Sequence, residues 1–300
     1  MMIKQFRGII PAMLTVFDEE GLLDWAGNQR LIDFLISNGV HGIFALGTSG
    51  EFSNLNLEER KQFAEFIVKY INKRVPVLIG TGSTNTREAC EFSRYAQEVG
   101  ADAVTVVVPY YIPLAERELY NHYAQVAGAV DIPVLIYNYP ALTGQNMPVS
   151  LIARLAKDFP NIIGIKATID SVSYLRELVY EVKKINPNFA VFTGLEDHLL
   201  NLLALGGDGA MTAITNFAPQ LVVGEYNSYL EGNYEKSKQF AKQLGVLSRI
   251  YNTGSAMIAM TKEACRLRGI DINSSVRLPL LPVGPKEVDQ IRQLFKEAGL

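Results

Sequence analysis

Cysteine is nearly absent: Cys90 and Cys265 are the only two in 300 residues. They stand far apart in helix-like stretches, which excludes a disulfide framework or a zinc cluster and predicts two buried structural thiols. Long apolar runs are missing as well. No stretch approaches the roughly 20 apolar residues that cross a bilayer. The opening "MMIKQFRGIIPAMLT" has two positive charges and a short apolar segment, without the small-residue cleavage pattern of a secretory leader. The cytoplasm is therefore the expected compartment. Nor is there an excess of basic charge, since 28 Lys and Arg are interspersed with 31 Asp and Glu for a net −3. That leaves no basic stripe for nucleic acid and no basic run for an anionic membrane, so the expected partner is a small molecule.

What the chain has is core. At 48% hydrophobic and 20% charged residues, it can fill one large α/β domain or two ordinary ones. Short apolar runs alternate with segments of helical period. The runs are 8–14, 42–47, 76–80, 103–108, 133–139, 162–168, 189–194 and 209–213, with helical candidates that include 57–72, 85–99, 115–129 and 171–184. A spacing of roughly 30 residues per unit is that of βα units. Eight of them predict a (β/α)8 TIM barrel rather than an open doubly wound sheet, which has fewer strands and an early phosphate-binding glycine turn. After residue 217 only helical patterns remain, at 217–231, 234–251, 254–267 and 285–298, with Pro-rich "RLPLLPVGP" as a connector. The expected organisation is a barrel over 1–231 and a helical extension packed on it over 232–300.

Barrels of this kind place their sites at the C-terminal ends of the strands. Those ends carry Thr15; Gly47 to Glu51; Thr81 and Ser83; Pro109, Tyr110 and Tyr111; Tyr137, Asn138 and Tyr139; Lys166 and Thr168; Gly194, Glu196 and Asp197; Thr212 and Thr215. Hydroxyls dominate. The few carboxylates and His198 come mostly from one loop, which predicts no catalytic metal. "GTGSTN" and "GGDGA" hold glycines but no P-loop lysine, and the loops after the last two strands have no Arg or Lys. Unphosphorylated substrates are therefore favoured over phosphorylated ones.

Lys166, inside "NIIGIKATID", is the only cation on a strand end. Alternation puts it on the face of Ile162, Gly164 and Thr168, opposite Ile163 and Ile165. With the isoleucines toward the helices, the amine points into the barrel. Burial disfavours the ammonium, and a neutral amine attacks a ketone to give an imine that serves as an electron sink without metal. The alternative is a lysine paired with a buried carboxylate or snorkelling from the barrel mouth. Tyr137 ends the neighbouring strand and can serve as a proton shuttle, or it can be a core tyrosine with a satisfied hydroxyl. In "ALGTSGE", Thr48 and Ser49 between Gly47 and Gly50 can cradle a carboxylate or cap a helix.

"GTSGE" (47–51), "PYY" (109–111), "YNYPALTG" (137–144), "GIKAT" (164–168) and "GGDGAMTAITN" (206–216) together resemble the dihydrodipicolinate synthase and N-acetylneuraminate lyase family of class I, pyruvate-dependent aldolases. The resemblance runs over essentially the whole chain. It implies that Lys166 forms a Schiff base with a 2-oxo acid, with no separate cofactor, and that Tyr137 is the proton donor and acceptor. It implies further that Thr48 links Tyr137 into a hydroxyl relay and that Tyr111 reaches the site of a neighbouring subunit. Ser49 and the Met211 backbone are implied as carboxylate contacts, and the assembly as a homotetramer built as a dimer of dimers. Thr168 and Gly194 are expected at the substrate, and Glu196 or Asp197 at its hydroxyls.

One position departs from the synthase pattern. Synthases usually carry an arginine in the loop after the catalytic tyrosine, where it binds the carboxylate of aspartate semialdehyde; here the residue is Leu142. An apolar side chain makes no bidentate clamp. "PALTG", "GIKATIDS" and "GGDGA…NFAPQ" look more like the branch that cleaves 2-keto-3-deoxy sugar acids such as 2-keto-3-deoxygluconate or its pentonate analogue. The expectation is an aldolase releasing pyruvate and a hydroxyaldehyde. The competing readings are dihydrodipicolinate synthase, N-acetylneuraminate lyase, a dehydratase using the same imine, and a non-catalytic 2-oxo-acid sensor.

Overall fold

A computed structural model describes residues 6–254 and 256–300. Five residues of the opening segment and one, Ser255, of the helix expected over 254–267 lie outside them. Eight parallel strands form the barrel: β1 (Gly8–Ile9), β2 (Ile43–Ala45), β3 (Val77–Gly80), β4 (Ala103–Val107), β5 (Val134–Asn138), β6 (Ile162–Ala167), β7 (Ala190–Thr193) and β8 (Gly209–Ala210). From β2 to β8 each pairs with its neighbour in sequence, and β1 pairs with β8. Closure comes from the chain after β1, where Ala12 bridges Phe44 and the Phe44 N–H donates to the Pro11 carbonyl at 3.0 Å. Pro11 has no N–H of its own, so the regular ladder breaks there and β1 is shorter than the apolar run that announced it.

Two apolar layers follow from the closure. Ile10, Phe44, Leu78, Ala103, Leu135, Tyr137, Ile163, Ala190 and Phe192 fill the barrel, while the opposite strand faces pack under the outer helices. Cys90 and Cys265 are free and buried. Among the described residues no helix is long and apolar enough to cross a membrane.

The alternation expected in β6 fails at its start. β5 pairs Val134 with Ile162 and then Leu135 with Gly164, which leaves Ile163 as an extra residue, a β-bulge. Ile163 therefore points into the barrel beside Leu135 and Phe192, and Ile162 points out with Ile165. This reverses the faces expected for Ile162 and Ile163. Beyond the bulge the period is regular, with Ile165 and Ala167 outside and Lys166 inside, level with Tyr137 on β5 and Phe192 on β7. Gly164 is required at the crossing because a Cβ there would lie 2.8 Å from the Ala190 carbonyl oxygen.

The C-terminal helices Tyr234–Leu247, Met257–Leu267 and Pro285–Ala298 are tied to the barrel mouth by buried charge. Lys262 donates to Glu51 Oε1 and to the Ser275 carbonyl, with both charged side chains 0% exposed. Glu51 Oε2 accepts from the Arg277 N–H, and Arg277 forks onto Glu59. Glu51 itself is left-handed, φ +51°, so the ion pair holds the "GTSGE" loop in a conformation non-glycine residues rarely adopt. Removing one partner of such a pair leaves an uncompensated buried charge. Lys262→Met should lower stability by about 3–5 kcal/mol, and adding Glu51→Gln should restore a large part of it. Denaturant midpoints at equal protein concentration check this; a double variant no more stable than the single one would show that the pair is not what holds the loop.

Candidate active site

Lys166 is 3% exposed, and its Nζ lies 4.3 Å from the ring centre of Tyr137 and 5.1 Å from that of Phe44. No carboxylate is within ion-pair distance of it among the described residues. Burial pulls its ammonium down to about 7, against an opposing push from the charge of Glu196. The alternatives of a lysine paired to a carboxylate or reaching out to solvent are both set aside by this geometry. An aromatic cage stabilises a cation by face contact without taking the proton. The amine is thus poised between its two forms at neutral pH.

Tyr137 is equally buried, and burial pushes its phenol well above the usual tyrosine range. Its hydroxyl is 3.1 Å from Thr48 Oγ1. Thr48 therefore serves the tyrosine and caps no helix; the short helix that follows, Phe52–Asn54, has no side-chain cap. The Thr48 and Ser49 N–H groups donate to no group among the described residues, while the Gly50 carbonyl is fixed by Thr15 Oγ1 at 2.7 Å. This loop can hold a carboxylate by amides and hydroxyls, as its glycines and hydroxyls suggested.

A cavity of about 410 Å³ opens above the amine, lined among others by Ser49, Tyr137, Tyr139, Lys166, Thr168, Gly194 and Met211. Thr168 Oγ1 is buried there without a hydrogen-bond partner. Gly194 leaves room for it, since a side chain at that position would collide with the Thr168 hydroxyl. The Met211 N–H is already donated to the Thr193 carbonyl at 2.8 Å. The carboxylate contact expected from the Met211 backbone therefore cannot be made through its amide, which the β7–β8 ladder consumes.

Several strand-end candidates have other work. Thr81 bonds Ser93, Thr212 bonds Thr215, and Glu51 belongs to Lys262. Glu196 is buried outside the cavity lining, with Oε1 accepting from the Ile214 N–H and the Tyr251 hydroxyl, both at 2.8 Å, and burial pushes its carboxyl up. Asp197 does line the cavity. Tyr111 does not: it is 92% exposed, with φ +79°. The loop bearing it is fastened at both ends by Gln145, which donates to the Pro109 carbonyl and accepts from the Leu114 N–H.

Sequence reasoning missed one wall of the cavity. Ser248, Tyr251 and Asn252, from the short helix Ser248–Asn252, and Met257 come from the C-terminal extension and line the mouth, and Asp170 lines it just beyond β6. A list of strand ends cannot find residues supplied by a distant extension. Asp170 was within reach, two residues past Thr168 in "KATID".

Comparison with known proteins gives a consistent result. Residues 5–298 match the model of the Dihydrodipicolinate synthetase family. The putative 2-dehydro-3-deoxy-D-gluconate aldolase YagE of Escherichia coli is 43% identical over 98% of this chain and 98% of its own. The probable 2-dehydro-3-deoxy-D-pentonate aldolase YjhH of the same organism is 41% identical over 99% of each. The crystal structure of YagE in complex with pyruvate superposes with a TM-score of 0.97, covering 98% of this chain and 99% of that one. A dihydrodipicolinate synthase from Thermotoga maritima follows at 0.94 and 32% identity, covering 99% of both chains. Barrel, buried lysine and the Thr48–Tyr137 hydroxyl pair thus stand in a chain that belongs to the dihydrodipicolinate synthetase family.

Proposed function

We propose that this chain is a metal-independent class I aldolase that cleaves a 2-keto-3-deoxy sugar acid, of the gluconate or pentonate type, to pyruvate and a hydroxyaldehyde. The observation that carries the chemistry is the buried Lys166 amine, held near neutrality beside the Tyr137 phenol. The neutral amine adds to the C2 ketone. Tyr137, whose raised pKa keeps it protonated, gives its proton to the departing C2 hydroxyl, and water leaves a protonated imine beside a phenolate. The phenolate takes the C4 hydroxyl proton, the C3–C4 bond breaks and its electron pair passes to the iminium as an enamine. The aldehyde departs, Tyr137 returns the proton to C3, and hydrolysis of the imine releases pyruvate. Thr48 orients the phenol, Ser49 and the loop amides hold the carboxylate, and Thr168 and Gly194 face the substrate chain.

The cavity favours this substrate class over aspartate semialdehyde. Among the described residues that line it, Lys166 is the only cation, whereas Asp170 and Asp197 both line it. Leu142, at the position where synthases usually carry arginine, is 59% exposed and offers no donor. A neutral polyol tail suits such a mouth; a second carboxylate does not.

Tyr111 completes the relay from a neighbouring subunit in a homotetramer built as a dimer of dimers. Its left-handed backbone and exposed ring support that role, because a strained non-glycine residue on a fastened loop points to a use beyond its own subunit.

Three tests follow. Pyruvate with borohydride should leave one adduct, on Lys166, by mass spectrometry; an adduct elsewhere, or none, defeats the imine mechanism. Since the neutral amine is the nucleophile and its pKa is lowered to about 7, kcat/KM should fall about tenfold per pH unit below that value and level off above it; a profile flat from pH 5 to 8 contradicts this. Leu142→Arg should leave cleavage of 2-keto-3-deoxygluconate no better than in the parent, measured as pyruvate release; an improvement would mean the loop has been misread.

A further inference from the structure

The cavity mouth contains a carboxylate with a dedicated holder. Lys166, Thr168 and Asp170 follow one another at alternate positions, and all three line the cavity. The Asp170 side chain is 91% exposed, yet its Oδ1 lies 2.8 Å from His198 Nε2. His198 belongs to the one-turn helix Glu196–His198 after β7 and is 11% exposed in its side chain. Its other ring nitrogen, Nδ1, is buried and meets no partner among the described residues. Nδ1 has no acceptor for a proton among the described residues, whereas a carboxylate oxygen facing Nε2 can only accept, so Nε2 carries the proton that is donated to Asp170. The second oxygen of Asp170 is left open. Asp197, the other carboxylate of the cavity, has no side-chain hydrogen bond among the described residues, so nothing fixes its direction.

We propose that Asp170, oriented by His198, accepts a hydrogen bond from a substrate hydroxyl beyond the bond that breaks, and so makes the enzyme prefer a keto acid with a polyol tail. Asp170 is a binding residue and His198 a positioning residue. The assignment rests on the sugar-acid reading and sharpens it. Lys166 and the strand-two loop hold the 2-oxo acid end, which every substrate of the class shares. Asp170 meets the end in which substrates differ. An aspartate free to rotate would give little selectivity, because ordering it on binding offsets part of the bond it makes; the imidazole removes that cost in advance.

The test compares 2-keto-3-deoxygluconate with 4-hydroxy-2-oxobutanoate, which has the same scissile bond and no tail. In Asp170→Asn the ratio of kcat/KM for the six-carbon substrate over the four-carbon one should fall about tenfold or more, through KM rather than kcat. His198→Phe, which lacks the donor, should move the ratio the same way, and His198→Gln, which keeps a donor, should recover part of it. Borohydride trapping of pyruvate on Lys166 in each variant reports an intact site. If the parent cleaves both substrates and Asp170→Asn weakens them equally or not at all, the Asp170 assignment falls alone. If the parent traps pyruvate but cleaves neither, the sugar-acid reading falls and takes the assignment with it.

Discussion

An amine kept out of water without a counter-ion is the constraint on which the site depends. A buried lysine normally acquires a carboxylate partner, and a partner would fix it as ammonium, useless as a nucleophile. Here the neighbours are two aromatic faces. Glu196 is the buried acid whose charge is felt at Lys166, and its Oε1 is drawn away by the Tyr251 hydroxyl and the Ile214 N–H. Holding that carboxyl at one remove lets burial win the contest over the amine. The Ile163 bulge belongs to the same arrangement, because it sets the phase that brings Lys166 inward, level with Tyr137.

The C-terminal helices are therefore part of the site rather than an ornament on the barrel. They supply Tyr251 to Glu196 and Lys262 to Glu51, and they roof the cavity with Ser248, Asn252 and Met257. Two buried acids flank the reacting groups, one behind the lysine and one under the hydroxyl loop, and each is bound to a residue of the extension. Such contacts transmit any loosening of the helices to the catalytic geometry, since a displaced Glu51 frees the loop that orients Thr48 and a displaced Glu196 changes the field at Lys166.

The sequence was most legible where one residue type does one thing. Eight apolar runs became eight strands with trimmed ends, because burial on both faces of a parallel sheet leaves a continuous apolar signature. Lys166 is legible because a cation in such a run has few explanations, although simple alternation is out of phase with the strand before residue 164. A bulge carries no signal in composition; it is a shift of register against Val134 and Leu135 of β5, which exists only once the two strands are paired. Tyr251 and Lys262 were not legible at all. Their partners lie 55 and 211 residues away in sequence, and no local pattern reports a pairing at such distance.

Selectivity between the aldolase and synthase chemistries then turns on the mouth, where two effects of different size act. A second substrate carboxylate near Asp170 or Asp197 would be repelled, but at an exposed position, where the dielectric approaches that of water, unit charges ~5 Å apart cost only about 1 kcal/mol. The missing clamp weighs more. Charge-assisted hydrogen bonds from a guanidinium are worth about 1.5–3 kcal/mol each, and Leu142 provides none. A polyol tail loses neither contribution and gains an acceptor in Asp170. On the proposed reading, aspartate semialdehyde is disfavoured mainly by a bond that cannot form, and the sugar acid is favoured by one that can.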